Sequence, residues 1–323
     1  MASLLVIGGS GFFGKSILDT YGRGLLNSWD IDSISIMARN ATSLSTQFPE
    51  LIDDSIKLIN GDIATCHELP FADYVIHAAS STDASNYLAR PDVEKKNIQS
   101  GTYNYCDLAK KFHSDSRIIY CSSGAVYGQQ PASLEYLLEE FDGGSVDEMS
   151  PVKRDYAAAK RDAEKAIYTL GSQGGAVSIA RCFAFVGKYL PRDQHFAIGN
   201  FIQDGLMSRP INVKATIPVY RSYMHADDLV HWLMTICHSA SPLCPVYNVG
   251  SDKALTVGEL AELVAKRFTI EVNKAELNQE NVDRYIPSIS KAQNELGLSV
   301  SIDLSAAIDR TIKSIQAKKL HAA

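Results

Sequence analysis

Two titratable side chains stand one helical turn apart in Tyr156-Ala-Ala-Ala-Lys160. At that spacing they share one face of a helix. A free tyrosine ionises at about pH 10 and is a poor acid–base catalyst at neutral pH. A nearby lysine ammonium favours the phenolate and brings the group into range. Ser123 closes an apolar run, at the strand end where open α/β sheets take their ligands, and its hydroxyl can donate to the same substrate oxygen. The chemistry these three offer is proton transfer to or from one oxygen. Tyr-x-x-x-Lys alone arises by chance on amphipathic helices. Preceded by Ser122-Ser123-Gly-Ala-Val-Tyr127-Gly128 and by a glycine turn near the N-terminus, it is poorly explained by chance.

That turn is Gly8-Gly9-Ser10-Gly11-Phe12-Phe13-Gly14, directly after an apolar strand and opening a helix. Glycines there permit a tight bend and let backbone N–H groups approach a pyrophosphate at the positive helix end. The end of the second strand selects between NAD and NADP, because a carboxylate there would accept bonds from the adenosine ribose. Ala38-Arg39-Asn40 has none. The Arg39 guanidinium suits a 2′-phosphate, so NADP(H) is preferred and NAD(H) remains an option. Asp62 stands where an adenine amino group would be bound, and His77-Ala78-Ala79 would form a flat shelf under the nicotinamide-side ribose.

The elements that position these groups follow from the hydropathy pattern. Apolar runs occur at 33–40, 56–63, 73–80, 116–123 and 176–187, with helical stretches between several of them, including 92–112 and 156–170. Near-continuous apolar strands alternating with helices predict a doubly wound parallel α/β sheet covered on both faces. After Gly187 the alternation fades and prolines at 191, 210 and 218 punctuate longer loops. A helix is predicted over 224–237, a late strand over 245–251, and two helical patterns in the tail, TVGELAELVAKRF and ISKAQNELGL. The expected division is a dinucleotide-binding domain over 1–187, to which 224–251 returns, and an interleaved smaller α/β domain over 188–223 and 252–323.

Composition excludes several classes. The 323 residues are 46% hydrophobic and 21% charged, which is ordinary globular usage without extended disorder or fibrous repeats. A net charge of −6 argues against duplex nucleic acid or an anionic membrane as partner. The six cysteines lie far apart without a Cys-x-x-Cys pair, so neither a disulfide framework nor a zinc site is expected; Cys66-His67 reads as a surface loop. No apolar run approaches the roughly 18 residues of a membrane span, and the start of the chain lacks a basic leader, so a cytoplasmic protein is expected.

With these residues in view, the chain resembles an extended short-chain dehydrogenase/reductase of the nucleotide-sugar epimerase/dehydratase family. The matching segments are VIGGSGFFG, GDI at 61–63, VIHAAS, Asn97 with Gly101-Thr102, YCSSGAVYG, Tyr156 with Lys160, Arg181-Cys-Phe183 with Gly187, RSYMHADDL, YNVGS and TVGELA. The resemblance implies a Rossmann sheet, a homodimer through helices 92–112 and 156–170, and Ser123, Tyr156 and Lys160 as the catalytic triad. Lys160 would also hold the nicotinamide ribose. Cofactor contacts would include Ile63, Ala78, Ala79, Ser80 and Asn97, and substrate contacts Ser81, Ser123, Ala184, Asn200, Arg221 and Arg284. Arg221 would pair with the nucleotide diphosphate and Asn200 would lie near the diphosphate loop. Arg284-Tyr285 would flank the nucleotide base.

Departures from the family pattern narrow the reaction. Sugar 4,6-dehydratases carry an Asp-Glu pair after the catalytic Ser/Thr, where this chain has Gly124 and Ala125. The cysteine that enzymes like GDP-fucose synthase use for carbanion epimerisation would stand at Ala125 and is missing too. UDP-galactose 4-epimerases usually have an asparagine where this chain has Ala184. What remains is a single hydride transfer, the reduction of the C4 ketone of a nucleotide-linked 4-keto-6-deoxyhexose. A 4-epimerase using the same triad is the alternative, and a non-catalytic dinucleotide-binding protein ranks third because Tyr156 and Lys160 are both retained. The insertion at 129–150 reads equally as a wall of the sugar pocket or as a solvated acidic loop.

Overall fold

A computed structural model describes residues 1–80, 90–144, 149, 151–278 and 281–321. Its first half contains β1 (Ala2–Ile7), α1 (Phe12–Gly22), β2 (Ile31–Ala38), α2 (Ser43–Gln47), β3 (Ile56–Asn60), β4 (Tyr74–His77), α3 (Pro91–Phe112), β5 (Arg117–Ser123) and α4 (Pro151–Ser172). Then come β6 (Ala176–Cys182), β7 (Phe185–Val186), α5 (Ala197–Leu206), β8 (Ile211–Val213), β9 (Val219–Arg221), β10 (Met224–His225) and α6 (Ala226–His238). The last part holds β11 (Val246–Val249), β12 (Leu255–Thr256), α7 (Val257–Phe268), β13 (Val272–Lys274), β14 (Asp283–Tyr285), α8 (Ser290–Leu296) and α9 (Leu304–His321).

Seven strands form one parallel sheet in the order β11-β6-β5-β4-β1-β2-β3. The order reverses beside β1, which places a crevice at the carboxyl ends of β1 and β4. Strand alternation divides the core between two faces. Leu4, Val6, Ile34 and Ile76 pack with Ile17 and Leu18 of α1 and Leu229, Trp232 and Leu233 of α6. Leu5, Ile7, Val75 and Ile118 face the other way, onto Ile98 and Tyr105 of α3 and Ala159, Ala163 and Ile167 of α4. Both faces are covered, which is why the strands read as continuous apolar runs rather than as alternating ones.

A separate core lies in a second lobe, where α5, α7 and α9 pack around Ile211, Val213 and Tyr223. Its helices are secured locally. Thr256 and Glu259 form a reciprocal cap at the start of α7, with bonds of 3.1 and 2.7 Å.

Several elements differ from the sequence expectation. The apolar run 176–187 is two strands, because the chain leaves the large sheet after Cys182 and β7 pairs with β10 instead. The helix expected from 224 starts at Ala226, where the His225 ring accepts the Asp227 N–H at 3.1 Å and caps it. Two helices, α5 and α9, were not anticipated, although Ile308, Ile312 and Ile315 of α9 turn one apolar face into the second core. The described part of the insertion is not a solvated loop at its centre. Leu137 is fully buried against Val126 and Tyr127, its N–H donates to Ile286 O at 2.9 Å, and its carbonyl accepts the Ser288 N–H at 2.8 Å. All six cysteines are free thiols, and among the described residues no cluster suits a metal ion. Among them, too, no helix is long and apolar enough to cross a membrane.

Candidate active site

At the end of β1 the N–H groups of Gly8 and Gly9 donate to Met37 O at 2.8 and 3.2 Å, tying the turn to β2. Gly8 has φ +85°, and a Cβ there would lie 2.5 Å from the Ala79 Cα. A Cβ on Gly14 would sit 1.9 Å from Gly9 O. Both positions therefore require glycine for steric reasons. Gly11 caps α1 without a side-chain acceptor, and the first turn carries no acidic residue. These backbone donors at the positive helix end fit the pyrophosphate of a dinucleotide.

Around this turn stand the other residues expected to hold the cofactor. Ser10 and Gly11 are exposed. Phe12 and Phe13 turn their rings onto Phe185, at 6.3 and 5.5 Å, so their side chains join the packing between the lobes. Arg39 is exposed immediately beyond β2, and Asp62 is exposed with one carboxylate oxygen accepting the Ala64 N–H at 2.9 Å. Ile63 is buried under α3. Ala78, Ala79 and Ser80 continue from β4 past the glycine turn, and Asn97 is exposed on the second turn of α3. Ser81, a residue expected at the substrate, lies outside the described residues.

Lys160 is the most enclosed of the three residues expected to act in catalysis. It is 2% exposed, and its ammonium donates to Cys121 O at 2.9 Å and to the Tyr120 hydroxyl at 3.3 Å, with the Tyr120 ring centroid 4.9 Å away. A buried cation needs such partners. The Tyr156 ring lies 5.9 Å from the same nitrogen. Beneath them the buried His77 ring is 4.9 Å from Tyr105 and 5.4 Å from Tyr120. Burial and the Lys160 charge push His77 down to about 3, so its ring is neutral at physiological pH.

The two adjacent serines diverge because successive strand residues face opposite sides. Ser122 donates to Glu164 at 2.5 Å, and Glu164 pairs with Arg181 at 2.8 Å, which fastens α4 to β5 and β6. Ser123 instead caps the short 3-10 turn Gly124–Tyr127, accepting the Ala125 N–H at 3.2 Å. A third hydroxyl arrives from far along the chain. Tyr285 of β14 rests on Phe183 with ring centroids 4.6 Å apart, and its hydroxyl donates to Cys182 O at 3.5 Å. No local pattern in the sequence marks Tyr285, which was expected at the nucleotide base.

The remaining substrate candidates separate into two places. Asn200 lines a cavity of about 620 Å³ in the second lobe together with Arg192, Arg209, Asn212 and Lys214. Its side-chain NH₂ donates to Gln194 O at 2.7 Å, while its buried amide oxygen has no partner among the described residues. Arg192 bonds to the Gln203 amide oxygen at 3.1 Å, and Arg209 pairs with Asp204 at 2.8 Å. Arg221 and Arg284 are not in that lining. Arg221 pairs with Asp283 at 2.8 Å and stands 5.9 Å from the Tyr285 ring, while Arg284 stacks over Tyr220 at 4.3 Å. Ala184 sits at the crossover between lobes, its carbonyl accepting the Met224 N–H at 3.1 Å.

Residues 4–250 match the family described as NAD dependent epimerase/dehydratase. Among curated proteins, the chain is 27% identical over 305 residues to UDP-glucuronic acid decarboxylase 6 of Arabidopsis thaliana, covering 93% of this chain and 85% of that one. It is 24% identical over 331 residues to dTDP-4-dehydro-6-deoxyglucose reductase of Escherichia coli, covering 98% of each. Among solved structures, UDP-glucose 4-epimerase of Thermus thermophilus in complex with NAD superposes with a TM-score of 0.76 at 18% identity, over 97% of this chain and 99% of the other. This last likeness is one of fold.

Proposed function

The chain belongs to the NAD-dependent epimerase/dehydratase family, and from that premise we propose that it reduces the C4 ketone of a nucleoside-diphosphate 4-keto-6-deoxyhexose. Ser123 donates a hydrogen bond to the ketone oxygen, and Tyr156 gives its proton to that oxygen as it becomes an alkoxide. Lys160, held by Cys121 O and Tyr120, keeps positive charge beneath the tyrosine and favours proton release. A nicotinamide cofactor bound at the glycine turn would supply the hydride. The exposed Arg39 supports NADPH over NADH, and the Arg192, Arg209 and Lys214 side chains support diphosphate recognition in the second-lobe cavity.

The observation that carries the reading is the surface above Gly124 and Ala125. A Cβ on Gly124 would lie 2.7 Å from both the Tyr285 hydroxyl and the Phe183 ring. Neither residue after Ser123 brings an acid or base, which supports a reaction needing only the triad. Exposed Val93 and Tyr103 on α3 and Tyr168 on α4 support a homodimer through those helices. The test is absorbance at the NADPH band with a panel of nucleotide-linked 4-keto-6-deoxy sugars. Oxidation with one sugar, faster with NADPH than with NADH, is expected. Interconversion of UDP-hexoses or release of carbon dioxide without net cofactor oxidation would replace this reading.

A further inference from the structure

We propose that Asp19 is a positioning residue for the second-lobe cavity: from the helix that opens at the glycine turn, it fixes the short segment that delivers Arg192. This inference rests on the reading of that cavity as the diphosphate subsite. Asp19 itself lines no part of the cavity. It stands seven residues after Phe12, on the same face of α1. Phe12 packs against both the sheet core and the second-lobe core, so this face of α1 looks onto the junction of the lobes. The two oxygens of the Asp19 carboxylate serve different partners. Oδ2 accepts Arg23 Nε at 2.9 Å, and Arg23 in turn pairs with Asp227 of α6 at 2.6 Å. Oδ1 accepts the buried Tyr189 hydroxyl at 3.0 Å and faces the Lys188 ammonium at 3.6 Å. Burial and the Asp19 charge push the Tyr189 phenol up, so it keeps its proton and stays a donor.

Little slack separates Lys188 and Tyr189 from Arg192. The Leu190 N–H donates to Gly187 O at 3.1 Å and closes a turn around the two residues. Pro191 follows, with φ fixed by its ring. Its carbonyl oxygen lies against Gly199 of α5, 2.4 Å from where a Cβ would stand. Arg192 Nη1 then donates back to Lys188 O at 3.4 Å, and its Nε donates to the Gln203 amide oxygen at 3.1 Å. A shift of Lys188 therefore moves one of the two acceptors that orient the guanidinium in the cavity. Through these contacts a carboxylate on the dinucleotide-binding helix sets the aim of an arginine in the other lobe.

The experiment is calorimetric titration of inorganic pyrophosphate into protein whose glycine turn is filled with NADPH. Asp19→Asn is expected to weaken pyrophosphate binding about fivefold, the size of one lost hydrogen bond, with NADPH affinity within about twofold. Removing a negative charge would by itself tighten the binding of an anion, so unchanged or tighter binding overturns the proposal. In an Arg192→Met background, Asp19→Asn should change the affinity no further. A further loss there means that Asp19 acts other than through Arg192, and it overturns the proposal too. Arg192→Met also separates this proposal from the reading beneath it. If wild type binds no pyrophosphate, or Arg192→Met binds it equally well, the cavity reading fails and takes the proposal with it. If Arg192→Met weakens binding and Asp19→Asn does not, the cavity reading stands and the proposal alone fails. Tyr189→Phe, which removes one hydroxyl and keeps the ring, covers the case in which Asp19→Asn folds poorly. It should weaken pyrophosphate binding about threefold, and wild-type affinity there overturns the proposal.

Discussion

The carboxyl edge of the seven-stranded sheet and the second lobe present polar groups to ligands by different means. At the sheet edge the backbone sets the geometry: glycine turns too crowded for a Cβ, bare N–H groups at the start of α1, and Ser123 capping a turn. In the second lobe, long side chains set it. Arg192, Arg209 and Lys214 reach one cavity from separate segments, each on a flexible stem. Backbone-defined sites tolerate little change, whereas a side-chain-lined cavity can be re-specified by single substitutions. Under the proposed function, cofactor binding and chemistry would belong to the first region and the identity of the sugar nucleotide to the second.

The largest expected effect is in the first region. Tyr156→Phe should lower kcat by about a thousandfold, within the range for a lost general acid, while the affinities for cofactor and nucleotide sugar stay within a few-fold. Steady-state kinetics with cofactor fluorescence titration checks this, and a near-normal kcat would remove the tyrosine from the mechanism.

Next comes acid stability beneath the same site. His77 titrates at about 3 in the folded protein, against about 6.5 in an unfolded chain. Between those values the unfolded chain binds the extra proton, so the contribution of neutral His77 is complete above about pH 6.5 and is lost as pH falls toward 3. From pH 7 to 4.5 that loss amounts to about 2.5 kcal/mol. Urea denaturation of His77→Phe at both pH values should show a correspondingly shallower fall; a slope equal to wild type would contradict it.

Where the two regions meet, Leu137→Ala should cost about 3 kcal/mol, because the residue is fully buried in a small cluster with Val126 and Tyr127. Thermal and urea unfolding measure it. A loss under about 0.5 kcal/mol would return the insertion to a surface loop.

The smallest effect sharpens the comparison most. Arg192→Met should weaken nucleotide-sugar binding about tenfold by calorimetry and leave NADPH affinity unchanged. Equal weakening of both ligands would collapse the division between the regions.

Legibility in the sequence follows the same line. The placement of the glycine turn, of Ser123 at a strand end and of Tyr156 and Lys160 one turn apart on α4 was readable because each follows from a local pattern. The parallel sheet was readable because burial on both faces leaves unbroken apolar runs. Tyr285 was not placed beside Gly124, since that approach depends on β14 lying beside β9 and on the packing of Phe183. The break after Cys182 was hidden within a continuous apolar run, and the buried centre of the insertion was masked by the acidic residues around Leu137. Arg221 is engaged by Asp283, a partner 62 residues away that no local spacing could indicate.

The proposed hydride transfer to a sugar ketone entails net oxidation of the cofactor. Its most direct test is turnover with NADPH deuterated at the transferred position of the nicotinamide, followed by mass and NMR analysis of the product. One deuterium on the former ketone carbon is expected for each NADPH consumed. Product formed without deuterium and without NADPH loss would contradict it.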